Sequence, residues 1–280
     1  STGDGYAAEL PVHTVALHPF YLGQYEVTNQ QYCDYLNSAL DRGLIAVISN
    51  VVYQADSGTS YPYCDTYASS IYSQIDYSGG VFSVRAKSGR KMGNDPMVRV
   101  SWYGAVAYCN WRSQVEEKPV CYNLSTWAYD PGKKGYHLPT EAQWEYAARG
   151  GVSGRRFPGG DTISHSLANY YSWWVEGYPY YFYDENSYSG FHLTWNDGIA
   201  PYTSPVGSFA ANGYGLYDMD GNISEWCNDW YSDTYYNESP ETNPAGPATG
   251  SYRVLRGGSW YFLPIDCRVA SRSGGNPGTR

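Results

Sequence analysis

The chain has 280 residues, of which 42% are hydrophobic and only 16% charged, with 32 tyrosines, 31 glycines and a formal net charge of −9. The acidic balance, with no basic cluster beyond Lys87 to Lys91, argues against a nucleic-acid partner. No run approaches the roughly 18 consecutive apolar residues of a membrane span.

In chain order, the small polar start Ser1-Thr2-Gly3-Asp4-Gly5 is compatible with a removed signal peptide or a lipid anchor upstream. His13 to Tyr25 carries two strand-like runs. Thr28-Asn29-Gln30-Gln31 is a capping box and predicts a helix through Tyr32-Cys33-Asp34-Tyr35-Leu36. Ala46 to Asp95 reads as an insertion rich in Tyr, Ser and Gly, with one strand over Val81 to Ala86. Ser101 caps a second helix from Trp102 to Trp111. Pro139-Thr140-Glu141-Ala142-Gln143 opens a third, running to about Ala148 and stopped by Gly150-Gly151. Tyr170 to Tyr188 is dense in aromatics, and Tyr252 to Leu255 reads as a strand. Few helices, short strands, no linker and no repeat predict one α+β domain over residues 1–280 with much irregular structure.

The six cysteines, Cys33, Cys64, Cys109, Cys121, Cys227 and Cys267, include no CxxC spacing, which removes the usual zinc and redox motifs. Their pairing is not fixed by sequence. Cys227 and Cys267 are either bridged or two buried free thiols.

The stretch Arg256-Gly257-Gly258-Ser259-Trp260, then Tyr261-Phe262-Leu263-Pro264-Ile265-Asp266, then Cys267-Arg268-Val269-Ala270 has ends that read as core. Its middle has neither a period of 2 nor one of 3.6. An arbitrary insert between fixed ends suits a recognition surface better than a catalytic site, which needs particular side chains in particular places.

Five motifs follow one another in order: Gly23-Gln24-Tyr25-Glu26-Val27-Thr28-Asn29, Val100-Ser101-Trp102, the run from His137 through Gly151, Asn212-Gly213-Tyr214-Gly215-Leu216-Tyr217-Asp218-Met219, and Arg256 to Trp260. Together they resemble the formylglycine-generating enzyme superfamily, which implies an elaborated C-type-lectin-like fold. The fold hosts several activities. The enzymes that make formylglycine use a Cys-x4-Cys pair after the Arg-Gly-Gly-Ser motif to bind copper. Here Phe262 stands at the first position, and Cys267 alone cannot supply the pair. The related iron-dependent sulfoxide synthases need a histidine site, and His13, His18, His137, His165 and His192 show no metal-ligand spacing. The resemblance therefore implies no redox cofactor and no catalysis.

The C-terminal segment is similar to the variable proteins of diversity-generating retroelements. That likeness makes 256–280 a variable region, with Tyr261, Phe262, Leu263, Pro264, Ile265, Asp266, Ser271, Ser273, Gly274, Gly275 and Thr279 as the ligand-binding, variable positions. Each of these residue types is reachable by changing only the adenines of an asparagine codon; Trp, Met, Lys, Glu and Gln are not. The expected partner is a protein or surface ligand, contacted chiefly by Tyr261 and Phe262. The expected location is outside the cell or on its surface. A superfamily oxidase with shifted catalytic residues and a lectin of fixed specificity are the alternatives.

The same resemblance implies two structural calcium sites. One uses the side chains of Asp218 and Glu225 and the carbonyls of Gly221 and Ile223; hard oxygen donors from one loop suit Ca²⁺. The alternative is a turn in which Asp218 and Asp220 cap backbone amides. The second uses Asn169, the Tyr170 carbonyl, Asp197 and the Ile199 carbonyl. Trp195-Asn196-Asp197 also matches the sugar-site tripeptide of calcium-dependent lectins, but its usual Glu-Pro-Asn or Gln-Pro-Asp partner is missing. Trp260 reads as a buried anchor. The run from Tyr170 to Tyr183 either lines the binding face or only packs over the scaffold.

Overall fold

The computed structural model of the chain describes residues 5–173 and 182–280. Where the sequence predicts one domain, contacts divide the chain into two compact units, Val27–Leu138 with Asn276–Arg280 and Ser1–Glu26 with Pro139–Gly275. Residues 256–280 are therefore shared between the units.

In the first of these units, helix α1 (Asn29–Asp41) begins at the capping box the sequence predicts. The Thr28 hydroxyl accepts the Gln31 amide, and Gln31 Oε1 accepts the Thr28 amide at 3.0 Å. The segment read as an insertion is instead strand-rich. A three-stranded antiparallel sheet, β1 (Ile45–Ile48), β2 (Val51–Gln54) and β3 (Pro62–Asp65), is followed by the hairpins β4 (Ile75–Ser78) with β5 (Val81–Val84) and β6 (Ala86–Lys87) with β7 (Arg90–Lys91). Three two-residue turns, Ser49-Asn50, Gly79-Gly80 and Ser88-Gly89, have both residues at positive φ. That is the backbone twist tight hairpins need, and small residues tolerate it. The Ser, Gly and Asn of this segment supply the turn chemistry of hairpins. Helix α2 (Trp102–Val115) starts where Ser101 accepts the Gly104 amide at 3.1 Å, and the short pair β8 (Tyr122–Asn123) and β9 (Ala128–Tyr129) follows. The core joins Tyr32, Leu36, Val52, Tyr63, Ile75 and Phe82.

In the other unit, helix α3 (Glu141–Ala148) packs on β10 (Glu225–Trp230) and β11 (Arg253–Arg256). Strand β12 (Ser273–Gly275) pairs antiparallel with β11, with Leu255 opposite Ser273. Trp144, fully buried, centres a core with Met219, Cys227, Val254 and Val269. A second cluster joins Phe157, Ile163, Tyr170, Tyr183 and Cys267.

The two strands expected over His13 to Tyr25 do not form. Only a parallel bridge from Ala16 to Thr242 is present there. The alternation survives as burial: His13, Val15 and Leu17 turn inward while Val12, Thr14, Ala16 and His18 face solvent. A period of 2 reports which side chains seek the core; it does not supply a neighbouring strand to bond with. Among the described residues, no helix is long and apolar enough to cross a membrane.

The α3 cap offers a direct check. The Thr140 hydroxyl accepts the Gln143 amide, and Gln143 Oε1 accepts the Thr140 amide at 2.9 Å. Thr140→Ala is expected to lower the unfolding free energy by about 1 kcal/mol in urea titrations, with Thr140→Ser close to wild type.

Candidate ligand-binding face

The segment after β11 leaves the sheet through Gly257 and Gly258, both at positive φ (+93° and +76°). A Cβ on Gly258 would sit 2.6 Å from Cys267 Sγ, so the two ends of the segment approach as only glycine permits. The Ser224 hydroxyl donates to the Gly258 carbonyl at 2.8 Å, and the Gly221 amide to the Gly257 carbonyl at 2.7 Å. The Trp260 amide donates to the Asn222 carbonyl at 2.9 Å. The chain then turns back through a 3-10 helix over Pro264–Cys267.

This turn presents Tyr261 and Phe262 to solvent, 65% and 44% exposed. Beneath Tyr261 lies an aromatic bed. Phe191 sits 6.2 Å from Tyr261 in a stacked arrangement, 5.5 Å from Trp260, 4.7 Å from Tyr202 and 4.8 Å from Tyr171. Trp260 meets Tyr261 edge-on at 5.5 Å and Tyr202 at 5.2 Å. The Tyr171 amide donates to the Phe262 carbonyl at 2.9 Å, which fixes the backbone beneath the second aromatic. Phe191 and Tyr202 were not singled out in the sequence; only their contacts disclose them. Trp260 is half-buried and part of the bed. Of the run Tyr170 to Tyr183, Tyr171 joins the bed and Tyr170 and Tyr183 are core, while residues 174–181 lie outside the described residues.

The other positions expected to vary are placed unevenly. Leu263, Ile265 and Asp266 are half-buried, and Asp266 accepts the Tyr6 hydroxyl at 2.9 Å. Pro264 and Ser271 are buried, not on the surface: Pro264 opens the inward 3-10 turn, and the Ser271 carbonyl accepts from Arg256. Ser273 and Gly274 are exposed on β12, but a Cβ on Gly274 would meet Tyr231 Cγ at 2.9 Å. At Gly275 it would meet Trp226 at 2.6 Å and Leu255 at 2.9 Å, so a larger side chain there must displace packed rings. Thr279 is exposed and belongs to the unit that holds residues 276–280.

Behind the face, Asn222 is a hub. Its backbone is left-handed (φ 60°) and its side chain fully buried. Its Nδ2 donates to Glu26 Oε2 at 2.7 Å, and its Oδ1 accepts from the Ser204 amide at 2.9 Å. Its amide donates to the Asn169 carbonyl at 2.7 Å. The Ile223 amide donates to Glu26 Oε1 at 3.2 Å. Burial, then the charges of Asp218 and Glu225, hold the Glu26 carboxyl well above the usual range. Burial likewise pushes Asp218 to about 6 and Glu225 to about 7.

The residues expected to hold calcium can be tested on this geometry. Asp218 Oδ2 accepts the Gly207 amide at 2.6 Å, while Asp218 Oδ1 is buried without a hydrogen-bond partner. Asn169 Nδ2 donates to the Tyr202 carbonyl at 2.8 Å, while Asn169 Oδ1 is buried and unpartnered. Two orphan oxygens at ligand positions fit a hard cation, since an unmet buried acceptor otherwise costs about 1–3 kcal/mol. The Tyr170 carbonyl accepts from His165 Nε2 at 2.9 Å, and Asp197 and Ile199 are exposed. Among the described residues, no group of three or more His, Cys, Asp or Glu side chains forms a metal centre.

The sulfatase-modifying factor enzyme 1-like domain model matches residues 1–280. The formylglycine-generating enzyme of Streptomyces coelicolor is 35% identical over 98% of this chain and 80% of its own length. The chain belongs to the formylglycine-generating enzyme family. The serine/threonine-protein kinase pkn1 of Chlamydia caviae is 34% identical over 98% of this chain, which spans only 33% of that protein. Among solved structures, Treponema denticola variable protein 1 matches with TM-score 0.54 and 28% identity over 84% of this chain and 89% of its own. CarF matches with TM-score 0.56 and 26% identity over 91% and 79%. The fold is the α+β, C-type-lectin-like fold of the formylglycine-generating type.

None of the six cysteines is in a disulfide, so Cys227 and Cys267 are not bridged; they lie in separate core clusters. Phe262, which the sequence likeness sets at the first position of the enzymes' cysteine pair, is 44% exposed. Cys267 is fully buried, and burial holds its thiol well above the usual range, which suppresses the reactive thiolate.

The hub makes a test of what supports the face. Asn222→Ala strands Glu26 and Ser204 in the interior and places Ala in a left-handed conformation. It is expected to cost about 3 kcal/mol or more in chemical denaturation.

Proposed function

We propose that this chain is a non-catalytic binding protein of the formylglycine-generating family. Its ligand surface is the turn bearing Tyr261 and Phe262, and the residues of that turn are diversified by a retroelement. The observation that carries this reading is the contrast along one segment. Its ends are fixed by buried side chains and glycines, while its middle projects two large aromatics from an aromatic bed. Aromatic anchors of this kind dominate binding energies because they bury large area at small entropic cost. Likeness to a protein titled a variable protein supports the reading, as does a phenylalanine where the family's enzymes carry a cysteine. A protein or cell-surface ligand is the proposed partner, met outside the cell.

The diversified set that this geometry supports best is smaller than the sequence suggested. Tyr261, Phe262, Leu263, Ile265, Asp266 and Ser273 can change with little disturbance of the core. Gly274 and Gly275 vary only against Tyr231 and Trp226.

The family's enzymes make a second reading specific. If the chain oxidises cysteine, incubation in air with copper, a thiol reductant and a cysteine-bearing sulfatase peptide will yield an aldehyde, with dioxygen as the oxidant. The binding reading expects none, with a formylglycine-generating enzyme as positive control. The direct test is to select ligands for the wild-type chain from a displayed peptide or cell-surface library and measure them against Tyr261→Ala/Phe262→Ala. Binding is expected to weaken at least tenfold while the melting temperature shifts by no more than about 2 °C. Retained binding by the double variant would reject this face. Sequencing the gene's 3′ end across one lineage, for changes confined to adenine-derived codons, tests the diversification separately.

Calcium is proposed as a structural ion, held by Asn169, Asp197 and the Tyr170 and Ile199 carbonyls in one site, and by Asp218, Glu225 and the Gly221 and Ile223 carbonyls in the other. It would satisfy the two orphan oxygens and fix loops behind the face. Added Ca²⁺ is expected to raise the melting temperature over the chelated protein, because an ion that binds only the folded state stabilises it by mass action. Asn169→Ala should remove part of that rise.

A further inference from the structure

The aromatic bed rests on a loop whose first turn is held by a histidine in one fixed tautomer. His192 Nε2 lies 2.6 Å from the His165 carbonyl, and the Thr194 amide lies 3.2 Å from His192 Nδ1. A carbonyl only accepts and an amide N–H only donates. Nε2 therefore carries the proton and Nδ1 must be bare. The His192 carbonyl closes the same turn, accepting the Trp195 amide at 3.0 Å and the Asn196 amide at 2.9 Å. Phe191, the residue immediately before, is the ring on which Tyr261 stacks.

We infer that His192 is an acid-labile latch: protonating it at Nδ1 sets an N–H against the Thr194 N–H, opens the 192–196 turn and withdraws the support that Phe191 gives to Tyr261 and Trp260. This inference rests on the binding reading above for its purpose, but not for its physics.

The rings that meet His192 are aromatic or basic and do not compensate an imidazolium. The His192 ring touches Trp195 at 6.0 Å and Phe209 at 5.8 Å, both apolar. The titratable ring it faces is His165, 5.0 Å away, which is a second base. His165 is itself engaged, with Nε2 at the Tyr170 carbonyl and Nδ1 2.6 Å from the Tyr188 hydroxyl, and burial holds its imidazole below its ordinary value. Asp184, a buried carboxylate on the His165 side of this network, is engaged by the Tyr170 and Ser172 hydroxyls at 2.6 and 2.7 Å. Burial accordingly holds the His192 imidazole below its ordinary value. The sign follows. A base whose folded value is depressed is neutral in the fold above the ordinary histidine range. The unfolded or opened loop takes up a proton first as pH falls below about 6.5, so the latch is full at neutral pH and lost on acidification.

The experiment reads the loop and needs no ligand. Amide hydrogen exchange at Thr194, Trp195 and Asn196, corrected for intrinsic rates, is compared at about pH 7.5 and about pH 5. Protection is expected to fall about tenfold for each unit by which the folded value lies below the open one. His192→Gln offers the same donor and acceptor without taking up a proton, and should keep its protection across that range. An equal fall in native chain and variant, or no fall in the native chain, overturns the latch. Should the variant not fold, an NMR titration of the native His192 ring decides: a midpoint at or above about 6.5 overturns it. Because these readouts contain no partner, failure of the latch and failure of the binding face are separate results.

Discussion

A guanidinium taken out of water has to be met by acceptors, and the segment that carries the face contains three such groups. Arg256 is completely buried; it donates to the Val269 carbonyl at 3.0 Å, to the Ser271 carbonyl and to Glu145 Oε2 at 2.6 Å. Arg268 and Arg272 are nearly as buried and form two-point pairs, Arg268 with Glu9 at 2.8 and 2.5 Å and Arg272 with Glu141 at 2.7 and 2.5 Å. Breaking one partner of such a pair leaves a charge in the interior and costs about 3–5 kcal/mol, far more than the pair itself contributes over an apolar replacement. The pairs therefore act less as a source of stability than as a specification. They allow 256–272 one path over α3, and they leave the exposed turn at Tyr261 and Phe262 outside the set of residues that fix that path.

That division of labour explains how a turn can be both arbitrary in sequence and definite in shape. The planar, forked guanidinium fixes direction as well as distance. Gly258 brings the two ends of the turn together against Cys267, while Gly257 lies against Trp144. Neither device touches Tyr261 or Phe262. Behind them, Asn222 plays the corresponding role for the loops, bonding to Glu26, Ser204 and Asn169 from one side chain and one backbone position. A face built in this way separates the residues that determine folding from those that meet a ligand.

The parts of the fold that were legible in the sequence are those whose cause is local. The caps at Thr28, Ser101 and Thr140 sit within three residues of the amides they satisfy, so each helix start was readable. The paired strands of Ala46 to Asp95 were not, because the same Ser, Gly and Asn serve loops and tight hairpins alike. The strands expected over His13 to Tyr25 failed for the opposite reason: the alternation was present, but strand pairing needs a neighbour that no local pattern supplies. At the site, the exposure of Tyr261 and Phe262 followed from an unpatterned run between core-like ends. The burial of Pro264 and Ser271 did not, since it depends on a 3-10 turn and on where Arg256 points.

By itself, the sequence determined the family, the helix starts and the fixed ends of the 256–272 segment, because each of these is a matter of residue identity at a given spacing. Only the tertiary structure decided that Phe191, Tyr202 and Tyr171 lie under Tyr261, that Asn222 joins four separate segments, and that Cys227 and Cys267 stand apart in different cores. Those relations connect residues tens to hundreds of positions apart. The energy that selects them is the burial of apolar rings and the need to satisfy every buried polar group, which is settled by the whole packed interior and not by any stretch of chain.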